Sequence, residues 1–378
     1  SLSKLTTEEY IRDDRFETIG VATKINDRKP RWFPNYPDKI ESHFNEVDWD
    51  EAIVVAHNAM FDGAILSWRY DVHPKIIVDT MSMSRAIDGV NAKHSLKFCS
   101  ERYGIGEKGT EVLNALGKQL RDFSPVELSQ YGRYCLNDVE LAFKLFCIYA
   151  SDMAVEELEV ISTTMKMFTE PVLELNVPML EQHLESVVSA KEKLMRAAKS
   201  NSEVLQSNPK FAECLKSLGV EPPTKISLRT NKKTFAFSKS DKGMTELLEH
   251  PNLAVQTLVA ARIGVKSTLE ETRTQRLLGI AKRAGVLPVP LRYYAAHTGR
   301  WGGSDKLNMQ NLPSRGSNTI KQSILAPDGY VLIDADSSQI EARTLAWLSG
   351  QYDLVNAFAN DEDVYKIMAS QIYGKPQE

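Results

Sequence analysis

The stretch that most constrains the fold is the 28-residue segment "FSPVELSQYGRYCLNDVELAFKLFCIYA" at 123–150. Its apolar residues recur at helical spacing, Ser124 can act as the N-cap, Pro125 occupies the first helical position and Glu127 completes a capping box. The segment therefore predicts one long amphipathic helix. Because the patterns upstream of it are those of strands, residues 1–150 predict a compact α/β domain.

Those strand patterns fall in three places. Residues 17–34, "ETIGVATKINDRKPRWFP", place two apolar runs on either side of an Asn-Asp pair and predict a β-hairpin. The runs "AIVVAHN" (52–58) and "KIIVDT" (75–80) predict buried strands with polar ends.

Residues 151–290 carry long amphipathic stretches and predict a mainly helical region. The polar, basic stretch "TKISLRTNKKTFAFSKSDKG" at 224–243 is typical of loops. After residue 290 the spacing returns to that of strands, so we expect a third part from 291 to 378.

Composition sets broad limits. With 378 residues and 42% hydrophobic residues, the chain can fill two or three cores. No apolar run approaches the roughly 18–20 residues of a membrane span, and the four cysteines show no CxxC pair or disulfide framework, so a reducing, cytoplasmic setting without membrane attachment is expected. The first residue is Ser rather than Met, and we expect the natural N-terminus to lie further upstream.

Charge is distributed unevenly around a net value of −4. Residues 262–321 contain 11 Lys/Arg against 3 Asp/Glu, a balance of +8, whereas 322–378 contain 3 against 9. The basic block suits either a solvated face or a surface that binds a polyanion.

The segment "YVLIDADSSQIEARTLAWLSG" (330–350) predicts an apolar strand that leads into a helix from about Gln339 to Ser349. Asp336 would lie at the strand tip, where a carboxylate can hold divalent ions for phosphoryl transfer, and the Ser337 carbonyl could add an oxygen ligand. A capping box from Ser338 to Glu341 explains the glutamate equally well, and Asp334 suits a structural role.

The flanking sequence favours the phosphoryl-transfer interpretation. "HTGRWGGSDKLNMQNLPSR" (297–315) followed by "APDGYVLIDADSSQIEARTLAWLSG" (326–350) resembles the family-A DNA polymerases, with motifs of the form TGR, NLQN(I/L)P.R and AD.SQIE.R in that order. The resemblance implies a DNA-directed DNA polymerase of DNA replication that uses two Mg²⁺ ions, with Mn²⁺ as an alternative. It implies that Asp336 is a metal-binding palm aspartate, and that Gln339 and Glu341 contact the incoming nucleotide. Glu341 would leave no room for a 2′-hydroxyl.

The same resemblance assigns contacts with the primer–template. Arg300 would reach the minor groove, and the groups that would hold the duplex near the primer end are Asn308, Gln310, Asn311 and Arg315. Their amide and guanidinium donors suit groove acceptors shared by all base pairs, although loop residues with local hydrogen bonds could look the same. Lys266, in a stretch that resembles the thumb-to-palm junction of phage-type members, is either a phosphate contact or a helix-surface lysine.

Upstream, "HNAMFD" (57–62) and "YCLND" (134–138) resemble the second and third motifs of an RNase H-like 3′–5′ proofreading exonuclease. The resemblance implies that Asn58 contacts DNA and that Asp62, Tyr134 and Asp138 are catalytic, with the two aspartates as metal ligands. Tyr134 and Asp138 are four residues apart and share one helix face, so the phenol could orient a water near a metal-bound phosphate.

The first exonuclease motif, Asp-x-Glu, is not seen. Asp14 and Glu17 have the wrong spacing to replace it, so we expect the exonuclease to be inactive in this chain. The sequence ends 37 residues after Glu341, before the family's fingers helix and second palm aspartate would occur, and it is expected to be an internal fragment.

The predicted architecture is α/β plus mainly α: an RNase H-like exonuclease domain (1–150), a helical thumb (151–290) and the start of a polymerase palm (291–378). Expected partners are primer–template DNA, dNTPs, and a processivity factor or second polypeptide that carries the fingers and remaining palm. Two alternatives stay open: a standalone DEDD-type exonuclease with a DNA-binding tail, and a non-catalytic primer–template binding module.

Overall fold

The computed structural model describes residues 5–36, 38–111, 115, 117–227, 230–266, 269–312 and 318–374. Its contacts divide the chain into two compact units, Ser1–Asp328 and Gly329–Glu378. The three predicted domains stay a prediction, since the first unit includes two of them and part of the third.

The N-terminal part of the first unit mixes strands and helices, as predicted. Its elements are α1 (Thr7–Ile11), β1 (Gly20–Thr23), β2 (Arg31–Pro34), α2 (Lys39–Phe44), β3 (Ile53–Ala56), α3 (Ala59–Tyr70), β4 (Ile76–Asp79), α4 (Thr80–Ile87), α5 (Leu96–Tyr103), a 3₁₀ turn (Leu120–Asp122), α6 (Pro125–Ala150) and α7 (Val155–Thr169).

The predicted hairpin and long helix are confirmed. Strands β1 and β2 pair antiparallel, with Gly20 opposite Pro34. Helix α6 begins at Pro125, where the Ser124 hydroxyl accepts from the Glu127 N–H and the Glu127 carboxylate accepts from the Ser124 N–H, which is the predicted capping box.

Strands β3 and β4 form a separate parallel pair, from Ile53 opposite Ile76 to Ala56 opposite Asp79. Helices α6 and α7 enclose this pair in a core that contains Ile77, Leu145 and Ile161. The described residues show two-stranded sheets here rather than one larger sheet, so the RNase H-like fold stays a prediction.

The following region is mainly helical, as predicted. Its elements are β5 (Leu173–Leu175), α8 (Val177–Ala197), α9 (Ser202–Gln206), α10 (Asn208–Ser217), β6 (Thr224–Ile226), β7 (Lys233–Phe235), α11 (Lys242–Leu248), α12 (Leu253–Lys266), α13 (Leu269–Ala284) and β8 (Val286–Leu287). The stretch at 224–243 is not simply a loop, because β6 and β7 pair antiparallel. Phe235 and Phe237 stack at 5.0 Å and Phe237 is buried against Phe211, which directs this stretch toward the core.

The rest of the first unit consists of short elements: β9 (Leu291–Arg292), β10 (Gly302–Gly303), a 3₁₀ turn (Met309–Asn311), α14 (Thr319–Gln322) and β11 (Ile324–Leu325). Strand β5 lies between β11 and β8, and β9 pairs with β10.

The second unit contains α15 (Ile340–Leu348), α16 (Tyr352–Ala359) and α17 (Val364–Tyr373) around a small core of Ala346, Ala357, Phe358 and Val364. The helix predicted from about Gln339 is confirmed, and Gly350 follows its end with φ of +66°.

The strand predicted for "GYVLIDAD" is wrong. Residues 330–337 have no regular secondary structure, and the side chains of Val331 and Ile333 are 82% and 81% exposed. A strand needs a neighbour for its backbone N–H and C=O groups, and the described part of this unit is otherwise helices and turns. Asp336 therefore lies in a segment without regular secondary structure rather than at a strand tip.

None of the helices formed by the described residues combines the length and the apolar character that crossing a bilayer requires.

Candidate nucleic-acid and nucleotide sites

The loop between β9 and β10 presents Arg300. Its side chain is exposed, while its carbonyl accepts from the N–H groups of Ala295 (2.8 Å) and Ala296 (3.2 Å). The neighbouring Trp301 anchors the loop, because its indole N–H donates to the Thr164 hydroxyl (3.0 Å) and its ring packs edge-on against Tyr293. The fold thus fixes the backbone at Arg300 and leaves the guanidinium at the surface.

The 3₁₀ turn Met309–Asn311 presents two exposed amides, Gln310 and Asn311. The third amide is committed locally: the Asn308 side chain accepts from the Gln310 N–H at 3.0 Å, so Asn308 caps the turn that holds the other two. Arg273 on α13, which the sequence did not single out, donates to the Asn311 carbonyl at 2.9 Å. Arg315 lies outside the described residues.

Lys266, at the end of α12, is exposed and donates to the Asn208 side chain at 3.3 Å. Partial burial and the positive charge of Arg262 lower the pKa of Lys266. Arg262 itself is fully buried; it donates to the carbonyls of Leu205 and Ser207 and lies 4.7 Å from the ring centroid of Phe211. Lys266 can reach a phosphate at the surface, whereas Arg262 cannot.

The basic block at 262–321 is therefore not a free cationic face. Besides the buried Arg262, Arg276 and Arg283 pair with Glu8 (2.9 and 2.7 Å), and Lys282 pairs with Glu181 (3.1 Å). The balance of +8 counts cations that distant acids already neutralise, so any polyanion contact falls to the remaining exposed residues.

In the second unit, Asp336, Ser337 and Glu341 are exposed and Gln339 is half-buried. The predicted capping box from Ser338 is wrong, because the N-cap residue is Gln339, which takes a left-handed conformation (φ +56°) and makes no side-chain capping hydrogen bond. Glu341 lies in the first turn of α15, one residue from the start of the helix.

Arg343 holds the entry to this helix, a role that the sequence did not reveal. Its Nε donates to the Ser338 carbonyl at 3.0 Å, and its guanidinium lies 4.8 Å from the centroid of the Phe358 ring. This contact ties the segment that follows Asp336 to the small core of the unit.

Within the described residues there is no group of three or more His, Cys, Asp or Glu side chains arranged to hold a metal ion. Asp336 and the Ser337 carbonyl supply oxygen atoms of the kind that Mg²⁺ prefers, but only one of them is a carboxylate.

The exonuclease-like motifs come together in a carboxylate cluster, which we define as Asp62, Asp79 and Asp138. Asp62 lies in the first turn of α3. Reduced hydration, together with the negative charges of Asp79 and Asp138, raises the pKa of Asp62 to about 6. The residue as a whole nevertheless lies at the surface.

Asp79 is the member of this cluster that the motifs missed. It is buried at the end of β4 and accepts five hydrogen bonds, from the N–H groups of Asn58, Ala59, Met81 and Ser82 and from the Ser82 hydroxyl. Asp79 thereby caps α4 and fixes the start of α3. An aspartate between a strand and a helix is an N-cap signal that could have identified it.

Asn58, the second-motif amide, is exposed with φ of +73° and joins the cluster through its backbone N–H rather than its side chain. Tyr134 and Asp138 lie together on α6, as predicted. Burial and the charge of Asp138 raise the pKa of the Tyr134 phenol. The Asp138 carboxylate is paired with Lys108. Glu17 instead accepts from the Leu120 N–H at 3.0 Å, a contact away from the cluster.

Comparisons with known proteins identify the fold and the family of this chain. The structure is similar to one described as the "POL domain of Pol1 from M. smegmatis complex with DNA primer-template and dNTP", with a TM-score of 0.67 and 19% identity over 95% of this chain and 61% of that one. The fold is thus that of a polymerase domain of the DNA polymerase I type, mostly helical with small sheets.

Residues 175–378 match the model of DNA polymerase family A, and the chain belongs to this family. Similar relatives include DNA polymerase I of Pseudomonas aeruginosa, 28% identical over 316 residues (80% of this chain, 34% of that protein). Another is the thermostable DNA polymerase I of Thermus aquaticus, 38% identical over 101 residues (26% of this chain, 12% of that protein). The chain spans about a third of the length of the curated relatives that match most of it. The phage-like detail stays a prediction.

Proposed function

We propose that this chain supplies the thumb and the first part of the palm of a DNA-directed DNA polymerase, which extends a primer with dNTPs in DNA replication. The observation that carries the proposal is that the family-A match from 175 to 378 contains all the predicted polymerase contacts with primer–template and nucleotide. Arg300, Gln310, Asn311 and Glu341 are at the surface there, on backbone that neighbouring residues hold in place.

We propose that Asp336 and the Ser337 carbonyl bind one or both of two Mg²⁺ ions, for which Mn²⁺ can substitute. The described residues fit such a site only in part, because Asp336 is a single carboxylate. Nucleotide phosphates and groups outside the described residues would complete the ligand set. The role of this chain is then to hold one carboxylate at the surface, next to a helix start that Arg343 fixes.

Duplex binding is the first test of the proposal, and it needs only the 378-residue chain. Arg300→Ala should weaken affinity for primer–template about tenfold with little dependence on sequence, because minor-groove acceptors are common to all base pairs. Lys266→Ala should reduce the slope of log affinity against log salt by about one unit, because each phosphate contact releases condensed counterions. The measurement is a salt titration of duplex affinity by fluorescence anisotropy.

Lys282→Ala is the matched control, since the Lys282 ammonium is already paired with Glu181. It should leave both affinity and salt slope unchanged. Weak, salt-insensitive binding that none of the three substitutions changes would show that the basic residues form only a solvated face.

Glu341 tests the nucleotide contact. Glu341→Ala should increase ribonucleotide incorporation relative to deoxyribonucleotide by about 10–100-fold in a polymerase that contains this chain together with the rest of its gene, because removing the side chain makes room for a 2′-hydroxyl. Glu341→Gln keeps the size of the side chain and should retain most of the selectivity. The measurement is competitive single-nucleotide insertion, and an unchanged preference in Glu341→Ala would contradict the assignment.

We infer further that the α/β part is an exonuclease-like module that retains the second and third motifs and does not hydrolyse DNA in this chain. The pairing of Asp138 with Lys108 supports this inference. If the chain were instead a standalone exonuclease, it would degrade single-stranded DNA in a metal-dependent reaction. Asp138→Ala would then abolish this degradation.

A non-catalytic primer–template binding module is the second candidate for the chain on its own. It is favoured by the duplex-binding residues in the first unit. We propose that a second polypeptide with the fingers and remaining palm, or a processivity factor, would act with the chain. Primer extension that appears only when such a polypeptide is added would distinguish this arrangement from a module that binds without catalysis.

A further inference from the structure

The loop after α5 places a lysine on the third exonuclease-like motif. The Lys108 ammonium donates to Asp138 Oδ2 and lies 4.8 Å from the centroid of the Tyr134 ring. Both side chains of the ion pair are largely shielded, with 22% of Lys108 and 23% of Asp138 exposed. The lysine therefore contacts the tyrosine and the aspartate of the motif together.

The fold holds this loop against α6 at two points. Asn137 donates to the Glu107 carbonyl at 2.9 Å, and Lys144 donates to the Ile105 carbonyl at 3.3 Å. Gly109, directly after the lysine, lets the loop approach Tyr134, because a Cβ there would come within 3.0 Å of the tyrosine ring and closer still to Glu111. The position of the Lys108 ammonium is thus set by several contacts rather than by one flexible side chain.

The other two carboxylates of the cluster, Asp62 and Asp79, do not replace Asp138 as a pair of metal ligands. The Asp79 oxygens already accept five hydrogen bonds, so they have little capacity left for an ion. Of these two, only Asp62 remains accessible, and the described residues contain no group of three or more His, Cys, Asp or Glu side chains arranged to hold a metal ion. The arrangement does not fit the two divalent ions that a proofreading exonuclease would need.

We propose that Lys108 is a built-in cation that takes the place of a divalent ion at the third motif. Its ammonium offsets the charge of Asp138, and a divalent ion at that carboxylate would have to displace the lysine or bear its repulsion at close range. The inference rests on the exonuclease-like assignment proposed above and is independent of the polymerase proposal.

The sequence alone gives little indication of the role of Lys108. Lys108 stands in "GIGEKGTE", between two glycines and 30 residues before Asp138, and this spacing has no periodic relation to the motif. The loop has to fold back on α6 before the two charges meet.

The test uses Mn²⁺ as the probe and the full 378-residue chain with Asp336→Asn, which removes the predicted palm ligand. Free Mn²⁺ is measured by electron paramagnetic resonance. The parent and its Asp138→Asn variant should bind Mn²⁺ equally. Lys108→Met should gain a site that binds Mn²⁺ at least tenfold more tightly than the parent does. Adding Asp138→Asn to Lys108→Met should abolish that gain.

Lys108→Arg is the matched control, since it keeps the positive charge and should gain no site. The proposal is overturned if Asp138→Asn weakens Mn²⁺ binding by the parent, because a divalent ion would then displace the lysine. It is also overturned if folded Lys108→Met gains no Asp138-dependent site. Should Lys108→Met fail to fold, Lys108→Gln, which also removes the positive charge, takes its place in the same comparison.

The same set of variants distinguishes a failure of the Lys108 proposal from a failure of the exonuclease-like assignment. If the site gained by Lys108→Met depends on Asp138 but not on Asp62, the two motifs do not share one site and the exonuclease-like assignment fails, while the role of Lys108 stands. Loss of duplex binding in the salt titration would contradict the polymerase proposal and would not affect this result.

Discussion

Asp336→Asn should reduce nucleotide addition by at least about 100-fold in an active family-A polymerase that contains this chain. Asparagine keeps the size of the side chain but removes the negative charge that a hard cation such as Mg²⁺ prefers. Loss of an outer-shell partner alone costs metal sites roughly 10–100-fold, so loss of a direct ligand should cost at least as much. The measurement is single-turnover primer extension at saturating duplex and dNTP.

The effect should be confined to the chemical step. Asp336 is exposed in a segment without regular structure, so Asp336→Asn should leave the circular dichroism and duplex affinity unchanged. Asp353→Asn, at an exposed acid in the first turn of α16, is the matched substitution in the same unit and should leave the extension rate nearly unaffected. Near-normal extension by Asp336→Asn would remove Asp336 from the catalytic assignment.

Local signals predicted local structure well. The capping box at Ser124 and the apolar spacing that follows it determine α6 almost to the residue, because the donors, the acceptors and the apolar stripe lie within one segment. The β1–β2 hairpin was predictable for the same reason, since its two strands and its turn are contiguous.

The segment 330–336 shows where such reasoning fails. Its apolar residues suit a strand, but a strand is completed only by a neighbour, and sequence does not show which neighbour is present. The cap of this helix was misplaced by one residue, because Ser338 has the right side chain for a cap, whereas the N-cap position is taken by a left-handed Gln339.

The candidate site residues come from motif resemblance alone, and their roles stay predictions. Motif resemblance pointed to Asp62, Asp138, Arg300 and Asp336 without any structure. The residues that contact Asp138 or the backbone of the other sites were not predictable, because Lys108, Arg273 and Arg343 meet their partners through loops and helix packing rather than through spacing along the chain.

A connection between residues far apart in sequence joins the first helix to α13. Glu8 is fully buried; its carboxylate accepts from Arg276 (2.9 Å) and from Arg283 (2.9 and 2.7 Å), and Arg12 lies 3.6 Å away. Glu8 and Arg276 are 268 residues apart in sequence. Asp305 completes the joint, since it accepts from the backbone N–H of Glu8 at 3.3 Å.

Glu8→Gln should lower the free energy of unfolding of the first unit by about 3–5 kcal/mol. Glutamine is nearly isosteric but neutral, so the shielded arginines would lose the charge that offsets their desolvation, and removing one partner of a buried ion pair typically costs this much. The measurement is urea unfolding of the 378-residue chain followed by far-ultraviolet circular dichroism, with hydrogen exchange of α1 and α13 as the local readout. The protection of both helices should fall together, because Glu8 joins them.

The control is Glu246→Gln, at an exposed glutamate 3.7 Å from Lys242 one helical turn away, where the cost should stay below about 1 kcal/mol. Adding Arg283→Met to Glu8→Gln should recover part of the loss, because it removes one of the cations left unpaired, so the two substitutions should be clearly non-additive. A cost for Glu8→Gln no larger than that of the control would mean that Glu9 and Asp305 neutralise the arginines by themselves. Glu8 would then contribute little to the contact between the first helix and α13, and the protection of these two helices from hydrogen exchange would not fall.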